Sequence, residues 1–91
     1  MDKKRDRIQI ITDVLRAIQM KGEAKPTHVL YKANLSHDVL KQHLKDLISK
    51  GLVIEIAKGT RRVYSLTDRG HKYLEEFAVV SKFLDSYGLL D

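Results

Sequence analysis

The segment 34–70, NLSHDVLKQHLKDLISKGLVIEIAKGTRRVYSLTDRG, leaves this chain few ways to fold. Ser36 is a good N-cap, because its hydroxyl can accept from an orphan amide of the turn that follows. Asp38 then sits where the helix dipole favours an anion. Leu40, Leu44, Leu47 and Ile48 recur at helical spacing, with Val39 and His43 at the edge of the stripe. The spacing predicts a helix over 36–50. Gly51 stops it in a left-handed conformation that costs other residues free energy. The run 52–56 is rich in β-branched residues and reads as a strand. Residues 57–60 form a turn around Gly59, and 61–66 return as a second strand. Val63 and Ser65 share one face of it; Tyr64 and Leu66 share the other. Thr67 caps another helix.

The flanks supply the remaining helices. Ile8, Ile11, Val14, Leu15 and Ile18 predict an amphipathic helix over about 3–20, ended by Lys21-Gly22. Pro26 suits the first turn of a second helix over 26–33, since its missing N–H has no partner to lose there. Val29 and Leu30 point inward, Asn34 ends the helix, and Leu35 fills the turn. A last helix covers about 68–87. The expected fold is mainly α with a small β-hairpin: a body of three helices and two strands over residues 1–66, and a C-terminal helical element over 67–91.

At 91 residues with 43% hydrophobic content, the chain can bury one core. It has no cysteine, which excludes disulfides and thiolate metal sites. No apolar run approaches the ~18–20 residues of a membrane span, and no apolar core follows the charged start MDKKRDR. A cytoplasmic, nucleoid-associated location is the expectation. Charge is distributed unevenly. Residues 1–66 hold 14 Lys/Arg against 7 Asp/Glu, whereas 67–91 hold 3 against 5. The body is therefore cationic and the tail slightly anionic, which points to a polyanion partner for the body. Lysines that merely solvate the surface would give the same count.

Two stretches carry a family signature: Leu44-x-x-Leu47-x-x-Lys50-Gly51-Leu52-Val53, and Tyr64-x-Leu66-Thr67-x-x-Gly70. Together they resemble the recognition helix and wing of winged helix-turn-helix regulators. A closer resemblance is to small archaeal predicted transcriptional regulators, among them the "ten-a" DNA-binding proteins, in which a winged helix precedes a dimerising C-terminal helix. The lysine-rich start leading into Ile8–Ile18, the segment Tyr31-Lys32-Ala33-Asn34-Leu35-Ser36, and the Leu66-Thr67-x-x-Gly70 junction carry it. The resemblance implies a homodimer that binds double-stranded DNA. The last helix here is shorter than the coiled-coil helix of the ten-a proteins, which leaves the style of dimer open.

The chemistry of the exposed residues suits that implication. Lys41 and Lys45 can donate to guanine O6/N7 or to phosphate, Gln42 can bond adenine at two points, and His37 can donate or accept. Ser36 stands at the start of the same helix. Residues 37, 41 and 45 follow one another at i, i+4 and i+8 and line one face. Lys58, Thr60, Arg61 and Arg62 fall in or beside the turn of the wing, 57–62, where arginines can enter a minor groove or straddle phosphates. Plain readings stand beside these: a solvated helix face, and edge charges that prevent strand aggregation. For Lys3, Lys4, Arg5 and Arg7 the expectation is a solvated, frayed terminus rather than phosphate contacts.

On the last helix, Leu74, Phe77, Ala78, Ser81 and Leu84 form one stripe, which Tyr73, Val80, Phe83 and Tyr87 widen. That is broader than one packed face requires. Tyr73, Phe77, Val80, Leu84 and Tyr87 are the expected dimer interface; the alternative is a helix that folds back on the first. No catalytic motif is found, and none of the four histidines falls at metal-ligand spacing with a partner, so neither an enzyme nor a cofactor or metal is expected. Three functions remain: a sequence-specific transcription regulator, an architectural DNA-binding protein, and a winged helix used to dock another protein.

Overall fold

The computed structural model describes residues 5–90. Its elements follow in the order α1 (Arg7–Lys21), α2 (Pro26–Ala33), α3 (His37–Ser49), β1 (Val53–Lys58), β2 (Arg61–Leu66) and α4 (Asp68–Asp85). The mainly helical body with a two-stranded antiparallel wing is the expected fold.

Local chemistry sets each boundary. Asp6 caps α1 through a reciprocal box: its carboxylate accepts from the Gln9 N–H, and its own N–H donates to Gln9 Oε1, both at 2.9 Å. The helix therefore starts later than the apolar spacing alone indicated, and Lys3 and Lys4 lie outside the described residues. Gly22, at φ 79°, ends it. Pro26 opens α2, and Asn34 closes it in the left-handed region at φ 57°. Ser36 Oγ accepts from the Val39 N–H at 3.3 Å to start α3. At the other end Gly51 N–H donates to Ile48 O at 3.0 Å and Leu52 N–H to Leu47 O at 2.9 Å. That pair of bonds satisfies the last carbonyls and turns the chain directly into β1.

One pairing had no visible sequence signal. Ala24 and Tyr64 exchange two backbone hydrogen bonds of 2.8 Å, so the short link between α1 and α2 forms a bridge on the free side of β2. The hairpin is in this way pinned to the helical body as well as to itself. Its register runs from Val53↔Leu66 to Lys58↔Arg61.

The core is built around α1. Val14, Leu15 and Ile18 are fully buried against Val29 and Ala33 of α2, Leu40, Leu44 and Leu47 of α3, Val53, Tyr64 and Leu66 of the wing, and Leu74 of α4. Ile8 was expected on the inner stripe but is half exposed; Thr12 and Ala17 are buried instead. The rest of the expected stripe stays inside, and the buried face is widened where α4 packs on α1 and Tyr73 Oη bonds Thr12 Oγ1 at 2.9 Å.

The entry into α4 is closely packed against the turn between α3 and β1. Thr67 Oγ1 accepts from the Gly70 N–H at 3.0 Å and donates to Gly51 O at 2.6 Å. Thr67 N–H donates to Leu52 O at 3.2 Å. A Cβ on Gly70 would stand 2.3 Å from that same Leu52 oxygen. Backbone against backbone leaves nothing flexible to give way. Gly70→Ala is expected to lower stability by about 2 kcal/mol or more, within the range for overpacked sites. Gly59→Ala meets no neighbour within 4 Å and carries only the strain of φ 64°, about 1 kcal/mol. Urea unfolding of the two variants checks the ranking.

Candidate nucleic-acid interface

Helix α3 presents its residues by phase. Leu40, Leu44 and Leu47 anchor it, so His37, Lys41 and Lys45 emerge along the flank nearest the wing. They form one wall of a cleft of ≈ 440 Å³, whose opposite wall is Glu55, Arg62 and Tyr64 and whose floor is Pro26, Leu40, Leu44 and Ile48. Gln42 is exposed but lies farther round the helix and does not line the cleft. Ser36 uses its hydroxyl as the helix cap.

The wing divides its cations by strand alternation. Arg62 shares a face with Glu55 and Tyr64 and points into the cleft. Lys58 and Arg61, opposite each other in the register, start from the other face. Thr60, Arg61 and Arg62 also line a shallower recess with Lys25, Pro26 and Thr27 at the start of α2. The expected basic cluster is thus not a single tuft. Arg62 Nη1 is 2.9 Å from Glu55 Oε2, and Lys58 Nζ is 2.8 Å from Glu23 Oε1. Among the described residues, Lys41, Lys45 and Arg61 have no ion-pair partner.

A second ionic system holds α3 from behind. Asp46 is paired with Lys50 one turn on and with Arg7 of α1, whose Nη2 lies 3.1 Å away. The Lys50 hydrogen bond, then Arg7, holds the Asp46 carboxyl below its usual range. Arg5 reaches further: its guanidinium donates to Ala33 O at 2.7 Å, to Asn34 O at 3.2 Å and to Asp13 at 2.8 Å. With its side chain only 16% exposed, it ties the end of α2 to α1. The expected frayed terminus is corrected for Arg5 and Arg7. Both are structural, because carbonyls at a helix C-terminus and carboxylates on neighbouring helices lie within their reach.

Of the five residues of the expected dimer interface, Tyr73, Phe77 and Leu84 are half-buried within the chain. Tyr73 stacks on Phe77 with centroids 5.9 Å apart, and Arg16 of α1 covers the Phe77 ring at 5.8 Å. Val79, Val80, Phe83 and Tyr87 remain exposed, at 69%, 51%, 59% and 68%. Among the described residues no group of His, Asp or Glu could hold a metal ion, and no helix is long and apolar enough to cross a membrane.

The match to the winged helix-turn-helix family model runs over residues 4–85. This chain belongs to that family. It is 33% identical over 81 residues to an uncharacterized protein of Methanocaldococcus jannaschii, covering 89% of this chain and 36% of that relative; the chain thus spans about a third of the relative's length. Among solved structures it is similar to Sso10a-2, a DNA-binding protein from Sulfolobus solfataricus, with a TM-score of 0.74 and 25% identity over 92% of this chain and 90% of that one. The resemblance to the archaeal ten-a proteins is thereby borne out. The PcaV transcriptional regulator from Streptomyces coelicolor shares the fold, with a TM-score of 0.79 at 18% identity over 94% of this chain and 62% of that one. So does the oxidized form of MarR from E. coli, at 0.70 and 20% over 75% and 50%.

His43 reports on the back of α3. Burial first, then the charge of Arg7, lowers its pKa from 6.5. The folded protein therefore binds the proton less readily than the unfolded chain, and stability falls with pH below the ordinary imidazole range. Thermal melts from pH 7.5 to 5 should show the wild type losing more stability than His43→Gln.

Proposed function

We propose that this chain is a DNA-binding transcription regulator that acts at the nucleoid as a homodimer. In this reading α3 enters the major groove, and the wing reaches the adjacent phosphates or minor groove. His37, Lys41, Gln42 and Lys45, with Ser36 at the helix start, serve the groove; Lys58, Thr60, Arg61 and Arg62 serve the flank. The observation that carries the reading is the shared cleft, where lysines from α3 and an arginine from the wing face the same space. Cations spread over unrelated surfaces would not follow one duplex. The similarity to Sso10a-2 over nine-tenths of both chains supports a DNA partner. A second reading, in which the protein coats DNA with little sequence preference, would use the same cations.

Reversing the charges of Lys41, Lys45, Arg61 and Arg62 together should abolish duplex binding while the thermal melt stays near that of the wild type. Wild-type affinity should fall with salt at a log–log slope of about −5 if about six phosphates are neutralised. Gel shift and anisotropy across salt measure both; a flat salt dependence rejects the reading. Footprinting on random against genomic fragments separates regulator from architectural protein.

For the dimer, residues 1–66 are assigned to the DNA-binding body and 67–91 to the joining element. The apolar face left on the second half of α4 supports a two-fold contact, which would present two α3–wing pairs to a pseudo-palindromic site. Phe83→Glu should convert a dimer to a monomer by light scattering at low micromolar concentration without lowering the core's melting temperature by more than a few degrees. A wild type that is already monomeric there overturns the assignment.

A further inference from the structure

The cleft between α3 and the wing has one occupant that a polyanion site does not need: a carboxylate. Glu55 projects from β1 toward the space lined by Lys41, Lys45 and Arg62. A single oxygen, Oε2, accepts from Arg62 Nη1 at 2.9 Å and from the Tyr64 hydroxyl at 3.1 Å. The Arg62 side chain is 66% exposed and that of Glu55 32%, so the outer partner is open to an incoming anion while the inner one is shielded.

We propose that Glu55 is a built-in competitor for the nucleic acid: it holds Arg62 across the cleft in the free protein and yields the guanidinium to a phosphate in the complex. This rests on the DNA-binding reading above. One sugar–phosphate strand separates a major groove from the neighbouring minor groove. A helix in the first and a hairpin in the second must let that strand pass between them, through this cleft. A phosphate, like a carboxylate, offers a guanidinium two anionic acceptor oxygens, and an ion pair this exposed is weak enough to exchange. Tyr64 keeps its hydroxyl on Glu55 after the exchange, so the carboxylate is not left without a donor. The Arg62 hydrogen bond, followed by that of Tyr64, lowers the Glu55 pKa.

The alternative is a strut, in which Glu55 positions Arg62 equally in both states. The two predict opposite signs. The test uses the full chain and a fluorescent random-sequence duplex of about two helical turns, with anisotropy read across salt. Glu55→Gln keeps an acceptor for Tyr64 but frees Arg62. Competition predicts duplex binding about three- to fivefold tighter near 0.1 M salt. Glu76→Gln, on the exposed side of α4, makes the same change in net charge and should shift affinity by less than about 1.5-fold. Binding by Glu55→Gln that is unchanged or weaker overturns the proposal, as does equal tightening by Glu76→Gln. A wild type that binds no duplex at low salt overturns the parent reading too; a wild type that binds with Glu55→Gln unchanged overturns only the role of Glu55.

Discussion

The close approach of Gly70 to the Leu52 carbonyl governs the rest of this molecule. It clamps the start of α4 onto the point where α3 turns into β1. Thr67 closes the same junction from the side, with its hydroxyl on Gly51 O and its N–H on Leu52 O. The angle at which the wing leaves α3 is therefore set by backbone contacts and the short Thr67 side chain rather than by long flexible ones. The cleft between them inherits that rigidity. Under the proposed function such rigidity favours binding, since ordering a surface after contact costs affinity.

Charge is arranged around that frame in two ways. Away from the cleft, Arg5 is spent on Asp13 and on the carbonyls that end α2, while Arg7 and Lys50 share Asp46 at the surface. Arg5 ties α2 to α1, Arg7 links α1 to α3, and the single carboxylate of Asp46 offsets only part of the charge of its two partners. On the wing side, Lys41, Lys45 and Arg61 stay free of ion pairs among the described residues, while Arg62 and Lys58 are restrained by Glu55 and Glu23. The count of cations in the body overstates the charge available to a partner. What a duplex would meet is the smaller set that the fold leaves unpaired, together with whichever restrained cations it can win over.

The sequence was legible where physics is local. Ser36, Gly51, Asn34 and Pro26 each mark a helix end because the cap or the φ angle is satisfied within a few residues. The hairpin followed from β-branched runs around Gly59. Legibility failed where the partner is distant in the chain. Nothing about Ala24 announces that it will bond Tyr64, and nothing about Arg5 that it will cap α2 some thirty residues on. The same limit applies at the site. The spacing places the lysines of α3 on one face, but Glu55 carries no signal of its own in the sequence; the register sets it opposite Tyr64 and diagonal to Arg62.

What the sequence determined by itself was the order and type of the elements, the apolar stripe of each helix and the concentration of positive charge in residues 1–66, since all of these follow from near neighbours and from composition. Tertiary structure alone decided which basic residues are structural and which are free, which flank of α4 remains uncovered, and that a carboxylate shares the cleft with the cations. Those depend on how separate elements come to face one another, and that is set by packing around α1 and by the junction at Gly70, not by any one stretch of chain.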